Sequence, residues 1–254
     1  MILRLINLLL KKNNYKLLSN TELSELSLLS YDNKIKSIFR NIINTESPVI
    51  FDIGAHNGDS IFRYRDIFSK SIIHSFEPNI ELFKLLEAEF ADDIDIHLNN
   101  HGISNQSGEL KLNIASNSLM SSIEPINYES KFFKKRNIQD NNYSNIKVDT
   151  IDNYCLSKSI NKIDIIKINV QGHEPKCLEG SKEMLKEKKI DFLVLELDSG
   201  DRYDVSNQFY DYEKFLVPYG YKLFDIILIK RNTFGQIQML NTIYCSNKIK
   251  FFST

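Results

Sequence analysis

At 254 residues, 42% hydrophobic and 26% charged, the chain is long enough to bury a substantial core and fold as one large globular domain. Lysine plus arginine (32) nearly balance aspartate plus glutamate (33), so overall charge gives no reason to expect nucleic acid or an anionic membrane as the main partner. Three cysteines, Cys155, Cys177 and Cys245, are odd in number and far apart; they fit reduced thiols in the core of a cytoplasmic protein better than a disulfide frame or a zinc site.

Residues 1–47 read as short helices, with "TELSELSLLS" and "NKIKSIFRNII" spacing apolar residues three and four apart. The first twelve residues, "MILRLINLLLKK", are interrupted by Arg4 and Asn7 and lack a small-residue cleavage site. They are too short to span a bilayer, and no other segment reaches the roughly 18 apolar residues that a spanning helix needs. An amphipathic helix packed on the domain is expected, with weak peripheral membrane contact as the alternative. Pro48 then stops the helix and opens the main domain, residues 48–254.

From there β-branched runs ("VIFDI", "SIIHSF", "IDIHL", "IDIIKINV", "IDFLVLEL", "YKLFDIILI") alternate with helical patterns such as "NIELFKLLEAEF" and "HEPKCLEGSKEMLKEKK". That rhythm predicts an α/β fold, a mostly parallel twisted sheet with helices on both faces. Turn signals between Asn99 and Val148 interrupt it and read as a hairpin-bearing insertion at about 109–148. The last two strand runs share a short glycine-containing connection, which predicts an antiparallel pair near the C-terminus.

Ligands of open α/β sheets lie beyond the carboxyl ends of the strands, where strand order reverses. The first strand therefore aims "GAHNG" at that crevice, where Gly54 and Gly58 let the backbone turn and approach a ligand. Glu77 ends the second strand, 25 residues beyond Asp52, where a carboxylate either accepts both hydroxyl protons of a ribose or simply complements the following helix N-terminus. Asp52 inside an apolar strand would repel a pyrophosphate, and the G-x-G-x-x-G fingerprint of dinucleotide sites is missing. S-adenosylmethionine has no phosphate and carries a sulfonium and an ammonium, so the acid suits that cofactor. Otherwise it bonds backbone N–H groups of its own turn.

The ordered set "VIFDIGAHNGDS", "SFEP", "HGISNQSGEL", "VDTIDNY", "IDIIKINVQGHEPKCLEGS", "FLVLEL" and "YGYKLFDI", from Val49 to about Ile227, resembles the FkbM-type S-adenosylmethionine-dependent methyltransferases. The resemblance implies a Rossmann-like class I methyltransferase domain, usually acting on hydroxyl groups of sugars in glycans or of secondary metabolites. Asp52, Gly54 and Gly58 match the family's cofactor loop and Glu77 its ribose acid, while Asn100 and His101 follow the third strand, near where such folds commonly hold adenine.

"NVQGHEP", after the fourth strand of the family's sheet, faces the transferable methyl in that architecture. Here Asn169 stands where the family pattern usually has an aspartate, and Gly172-His173-Glu174 keeps its Gly-x-Glu. Methyl transfer to a hydroxyl requires the acceptor to lose a proton, and a general base supplies about 10²- to 10⁴-fold in rate. Asn169 cannot serve as that base, but its amide can orient cofactor or acceptor. His173 and Glu174 are the remaining nearby candidates, each with a structural alternative: a hydrogen-bonding histidine and a helix cap. Glu196 ends "FLVLEL" and is either a substrate contact or a solvated strand end. His56 reads as turn chemistry, and Phe132 and Phe133 among Lys131, Lys134, Lys135 and Arg136 as a solvated loop with two aromatic anchors, the alternative being stacking of a sugar or nucleotide base. No metal constellation is evident.

The sequence thus predicts a methyltransferase that binds S-adenosylmethionine and a small-molecule or glycan acceptor, with no nucleic acid partner. Two alternatives remain. One is a catalytically silent relative that binds a protein partner, motivated by Asn169; the other is an NAD-dependent oxidoreductase, opposed by the missing phosphate loop.

Overall fold

The computed structural model describes residues 20–136, 142–200, 202–204, 207–231 and 234–249. The chain divides after Ile42 into two units. In the first, the two expected short helices are one 23-residue helix, α1 (Asn20–Ile42); the junction Tyr31-Asp32-Asn33 contains neither glycine nor proline to break it. The expected amphipathic segment at residues 1–12 lies outside the described residues.

The second unit alternates as the sequence predicts: β1 (Val49–Ile53), α2 (Asp59–Ile67), β2 (Ile72–Phe76), α3 (Ile80–Phe90), β3 (Ile96–Asn99), β4 (Gly102–Ile103), β5 (Gly108–Ile114), α4 (Lys131–Arg136), β6 (Asn142–Asp149), α5 (Ile151–Ser157), β7 (Ile163–Ile168), α6 (Glu174–Glu179), α7 (Lys182–Lys186), β8 (Ile190–Asp198), α8 (Phe209–Leu216), β9 (Tyr221–Arg231) and β10 (Ile237–Ser246). A seven-stranded sheet has the order β3-β2-β1-β7-β8-β10-β9. The pairs from β3 to β8 are parallel, and β10 runs antiparallel to both β8 and β9. Strand order reverses between β1 and β7, so a crevice is expected beyond the carboxyl ends of those two strands.

Covered on both faces, the central strands are apolar along their length rather than alternating. Phe51, Ile53, Ile166, Ile168, Leu193 and Leu195 are almost completely buried in one core cluster. All three cysteines are free thiols and buried.

The segment between β3 and α5 forms a second sheet, β4-β6-β5. Its β5 and β6 pair antiparallel from Gly108↔Val148 to Ile114↔Asn142, and the described part of their connection, residues 115–136, is a long excursion that carries α4. The single helical pattern read in "HEPKCLEGSKEMLKEKK" divides into α6 and α7 at Gly180. A Cβ there would lie 2.0 Å from the Ser104 carbonyl oxygen, so the chain must pass β4 at backbone contact and only glycine permits it.

Candidate functional site

After β1 the chain turns at Gly54, whose φ is +78°. The amides of Gly54 and Ala55 both donate to the Phe76 carbonyl (3.0 and 3.1 Å), drawing the turn over the end of β2. Glu77 follows at once, and its two oxygens accept the amides of His56 and Asn79, each at 2.9 Å. Burial pushes its carboxyl up, with those two N–H bonds opposing. On the other side of Gly54 lies the segment after β7: a Cβ on Gly54 would sit 2.0 Å from the Asn169 carbonyl oxygen.

These elements bound a cavity that opens to solvent. Gly54, His56 and Glu77 form one end, Asn169, Val170 and Gln171 another, and Phe76, Ile103, Leu112 and Ile123 give an apolar wall. The 3₁₀ turn Ser118–Met120 and the serines that follow close the remaining side. His56 Nε2 lies 2.8 Å from Ser118 Oγ, tying the glycine loop to that excursion.

At the strand ends, β7 and β8 run in register with Ile168 opposite Leu195, so the next residues, Asn169 and Glu196, are neighbours. Asn169 Nδ2 donates to Glu196 Oε2 at 3.1 Å. Gln171 Nε2 donates to Glu196 Oε1 (3.1 Å) and to Asn169 Oδ1 (2.7 Å), and Gln171 Oε1 accepts from the Tyr203 hydroxyl (2.8 Å). Gln171 is held at φ +57°, and its carbonyl accepts from Ser122 Oγ at 2.7 Å. Glu196 is buried, which raises its carboxyl above the ordinary range, against the charge of Arg202. A smaller polar pocket beside Gln171 is lined by Glu196, Glu174, Asp198, Tyr203 and Asn207.

Several residues singled out in the sequence are placed otherwise than expected. Asp52 does not reach the cavity: it pairs across the sheet with Lys167, its carboxylate is fully buried, and Lys167 Nζ lies 3.0 Å from it. The cation nearest to it in the structure is Lys167. Lys167 also donates to the Gly54 carbonyl at 2.7 Å. Gly58 caps α2 at φ +88° and is not part of the cavity lining; a Cβ there would meet Phe90 Cε2 at 2.7 Å, so its role is close packing of α2 on α3.

His173 is buried with both ring nitrogens engaged, Nδ1 with Glu124 Oε1 (2.7 Å) and Nε2 with Ser104 Oγ (2.9 Å), and it lines neither pocket. Glu174 holds the preceding turn rather than the helix. Its oxygens accept the amides of Val170 (2.9 Å) and Gly172 (3.0 Å) and the Asn207 side chain (3.0 Å). Burial pushes its carboxyl up to about 7 against those donors. Asn100 spends its amide on the carbonyls of Glu77 and Pro78, and His101 packs its ring on Phe76 and Tyr154. Both border a separate open depression with Ser107 and Asp149 instead of the cavity.

Lys167, Gln171, Ser118 and Tyr203 were not singled out in the sequence. Lys167 carried a signal, a cation inside the apolar run "IDIIKI" and so in need of a buried partner. Tyr203 carried none, because its sequence neighbours show no apolar periodicity and its one β-bridge is to the distant Ile126. No group of three or more histidine, cysteine or acidic side chains among the described residues is arranged to hold a metal.

The sheet order, the single antiparallel strand and a cavity at the β1–β7 reversal define a Rossmann-like class I methyltransferase fold. The family profile described as "Methyltransferase FkbM domain" matches residues 52–223, and the chain belongs to that family. Methyltransferase FkbM from Methylobacillus flagellatus KT superposes with a TM-score of 0.50 at 16% identity, over 78% of this chain and 44% of its own. The magnesium protoporphyrin IX methyltransferase ChlM of Synechocystis PCC 6803, solved with bound SAM, gives 0.51 at 8% identity over 91% of this chain and 86% of its own. A curated relative, the 2-O-methyltransferase NoeI of Sinorhizobium fredii, is 24% identical over 180 residues, 65% of this chain and 69% of its own. No described helix is long and apolar enough to cross a membrane.

Proposed function

We propose that this protein is an S-adenosylmethionine-dependent O-methyltransferase whose acceptor is a hydroxyl of a sugar, glycan or secondary metabolite. The observation that carries the reading is the composition of the one cavity that joins Gly54 and Glu77 to Asn169 and Gln171. Each Glu77 oxygen takes one backbone N–H and keeps a lone pair for a ribose hydroxyl, and the apolar wall suits a purine. The cavity lining contains no lysine or arginine, and Lys167 is spent on Asp52 and Gly54. That donor set fits a nucleoside without phosphates and disfavours the pyrophosphate of NAD. The name of the NoeI relative points to oxygen as the acceptor atom, and the excursion between β5 and β6, which supplies one cavity wall, is where acceptor preference would reside.

When bound, S-adenosylmethionine supplies a methyl group on a positively charged sulfur. The chain orients the ribose through Glu77, lets the backbone approach at Gly54, and presents amides at Asn169 and Gln171 where the acceptor must meet the methyl. Holding two reactants in line is worth up to roughly 7–11 kcal/mol of the barrier.

Calorimetric titration with S-adenosylhomocysteine, beside NADH and repeated with Glu77→Ala, tests the reading. Saturable binding of the first ligand alone, weakened by the substitution, supports it; binding of neither ligand would overturn it. The catalytically silent alternative rests on Asn169 as a missing acid, and the contact of that amide with Glu196 at 3.1 Å removes much of its motive.

A further inference from the structure

We propose that Glu196 is the group that takes the acceptor's proton, and that Asn169 and Gln171 are positioning residues that aim its carboxylate. The inference rests on the proposed methyl-transfer function and assigns its missing base.

Elimination among the nearby groups comes first. Asn169 has no basic atom, and the imidazole of His173 is fixed between Ser104 and Glu124 outside both pockets. Glu174 is committed to two backbone amides and Asn207. A shift of its carboxylate toward a ligand would strand those buried donors, at about 1–3 kcal/mol each. Asp198 is ion-paired with Arg202, and Glu77 is the group assigned above to the ribose.

Glu196 differs in what holds it. Among the described residues its two oxygens each accept one side-chain amide, from Asn169 and from Gln171, and no backbone group, so each keeps a lone pair for a new donor. Those amides belong to residues that line the cofactor cavity, and Gln171 also borders the polar pocket that contains Glu196. An acceptor hydroxyl entering at Gln171 would meet the Glu196 carboxylate where the polar pocket adjoins the cavity. Burial raises the Glu196 carboxyl toward the range where a general base works best. Neither amide can compete for the proton, while both fix the carboxylate plane.

In the step, the acceptor O–H bond breaks as its proton passes to a Glu196 oxygen, and the freed electron pair forms the O–CH₃ bond. The S–CH₃ bond breaks and its pair stays on sulfur, so one carboxylate and one sulfonium become a carboxylic acid and a neutral thioether. The proton then leaves to solvent.

A cofactor analogue tests this without knowledge of the acceptor. Sinefungin carries an ammonium where the methyl sits, whereas S-adenosylhomocysteine carries nothing there; both are titrated into wild type, Glu196→Gln and Glu196→Asp. Wild type should prefer sinefungin, and Glu196→Gln should cut the ratio of the two affinities at least tenfold with S-adenosylhomocysteine binding held within about twofold, which also shows that the variant folds. Glu196→Asp should restore part of the preference. A ratio that changes less than twofold in Glu196→Gln, with S-adenosylhomocysteine still bound, would overturn the assignment of Glu196 alone. Failure of wild type to bind S-adenosylhomocysteine would overturn the proposed function and this inference with it.

Discussion

The carbonyl oxygen of Asn169 occupies the place that a side chain on Gly54 would need, 2.0 Å from where its Cβ would be. The turn after β1 and the turn after β7 are therefore one packed unit, and the two ends of the cavity cannot shift independently. Gly54→Ala meets two obstacles, the left-handed φ of +78° and a backbone atom that cannot move aside. Together they should cost about 2–4 kcal/mol and abolish S-adenosylhomocysteine binding. Gly235→Ala has a φ of +82° with nothing within 4 Å, so it should cost only about 1–2 kcal/mol. Equal urea midpoints for the two variants would sink the claim that backbone contact matters at Gly54.

Asp52 and Lys167 form a buried pair at 3.0 Å beneath the same turn. Removing one partner leaves a charge in a low-dielectric interior, so Lys167→Met should destabilise by about 3–5 kcal/mol. The double variant Asp52→Asn with Lys167→Met should recover most of that loss, because no uncompensated charge remains. Denaturant unfolding of both single variants and the double gives the coupling energy. An additive result would mean that the two side chains do not form the pair seen here.

The Asp52–Lys167 pair also shows what was legible in the sequence and what was not. Periodicity and turn residues located every strand of the main sheet: the central parallel strands because burial on both faces makes them continuous apolar runs, and the last two from the glycine-containing connection between them. Gly54, Glu77 and Asn169 directly follow β1, β2 and β7, while β8 continues two residues past Glu196. Which way a buried polar side chain is answered did not follow, since partners such as Lys167 for Asp52, or Ser104 and Glu124 for His173, come from strands and loops far away in sequence. Asn100 and His101 sit in the turn from β3 into β4, where they back onto the cavity residues Phe76, Glu77 and Pro78 and border a separate depression; that turn had no periodicity to show which side they would face.

His74 gives a pH dependence with a definite sign. Its ring stacks on His97 at 4.5 Å and its Nδ1 lies 2.9 Å from the Tyr154 hydroxyl. Burial, with the charges of His97 and Lys158 adding, lowers its pKa from 6.5 to about 4. Between those values the unfolded chain holds a proton that the native protein has released, so stability rises with pH through this window and is lost as pH falls from about 6.5 toward 4. His74→Phe keeps a ring in the stack and removes the titration. The stability difference between pH 7 and pH 4.5 should shrink by about 2 kcal/mol relative to wild type, as read from urea midpoints. An unchanged difference would assign the acid sensitivity elsewhere.

His56 and Ser118, both lining the cavity, meet at 2.8 Å, one from the glycine loop and the other from the excursion between β5 and β6. Burial lowers the pKa of His56, which favours the neutral ring, and a neutral hydrogen bond is worth about 0.5–1.5 kcal/mol. A bond of that size is too weak to hold the fold but large enough to slow the escape of a bound ligand. Ser118→Ala should therefore leave the thermal midpoint nearly unchanged while S-adenosylhomocysteine dissociates about 2- to 10-fold faster, with a smaller effect on association. Stopped-flow displacement measures this directly. If the dissociation rate is the same in both proteins, the contact plays no part in retaining the ligand and the excursion acts on the acceptor alone.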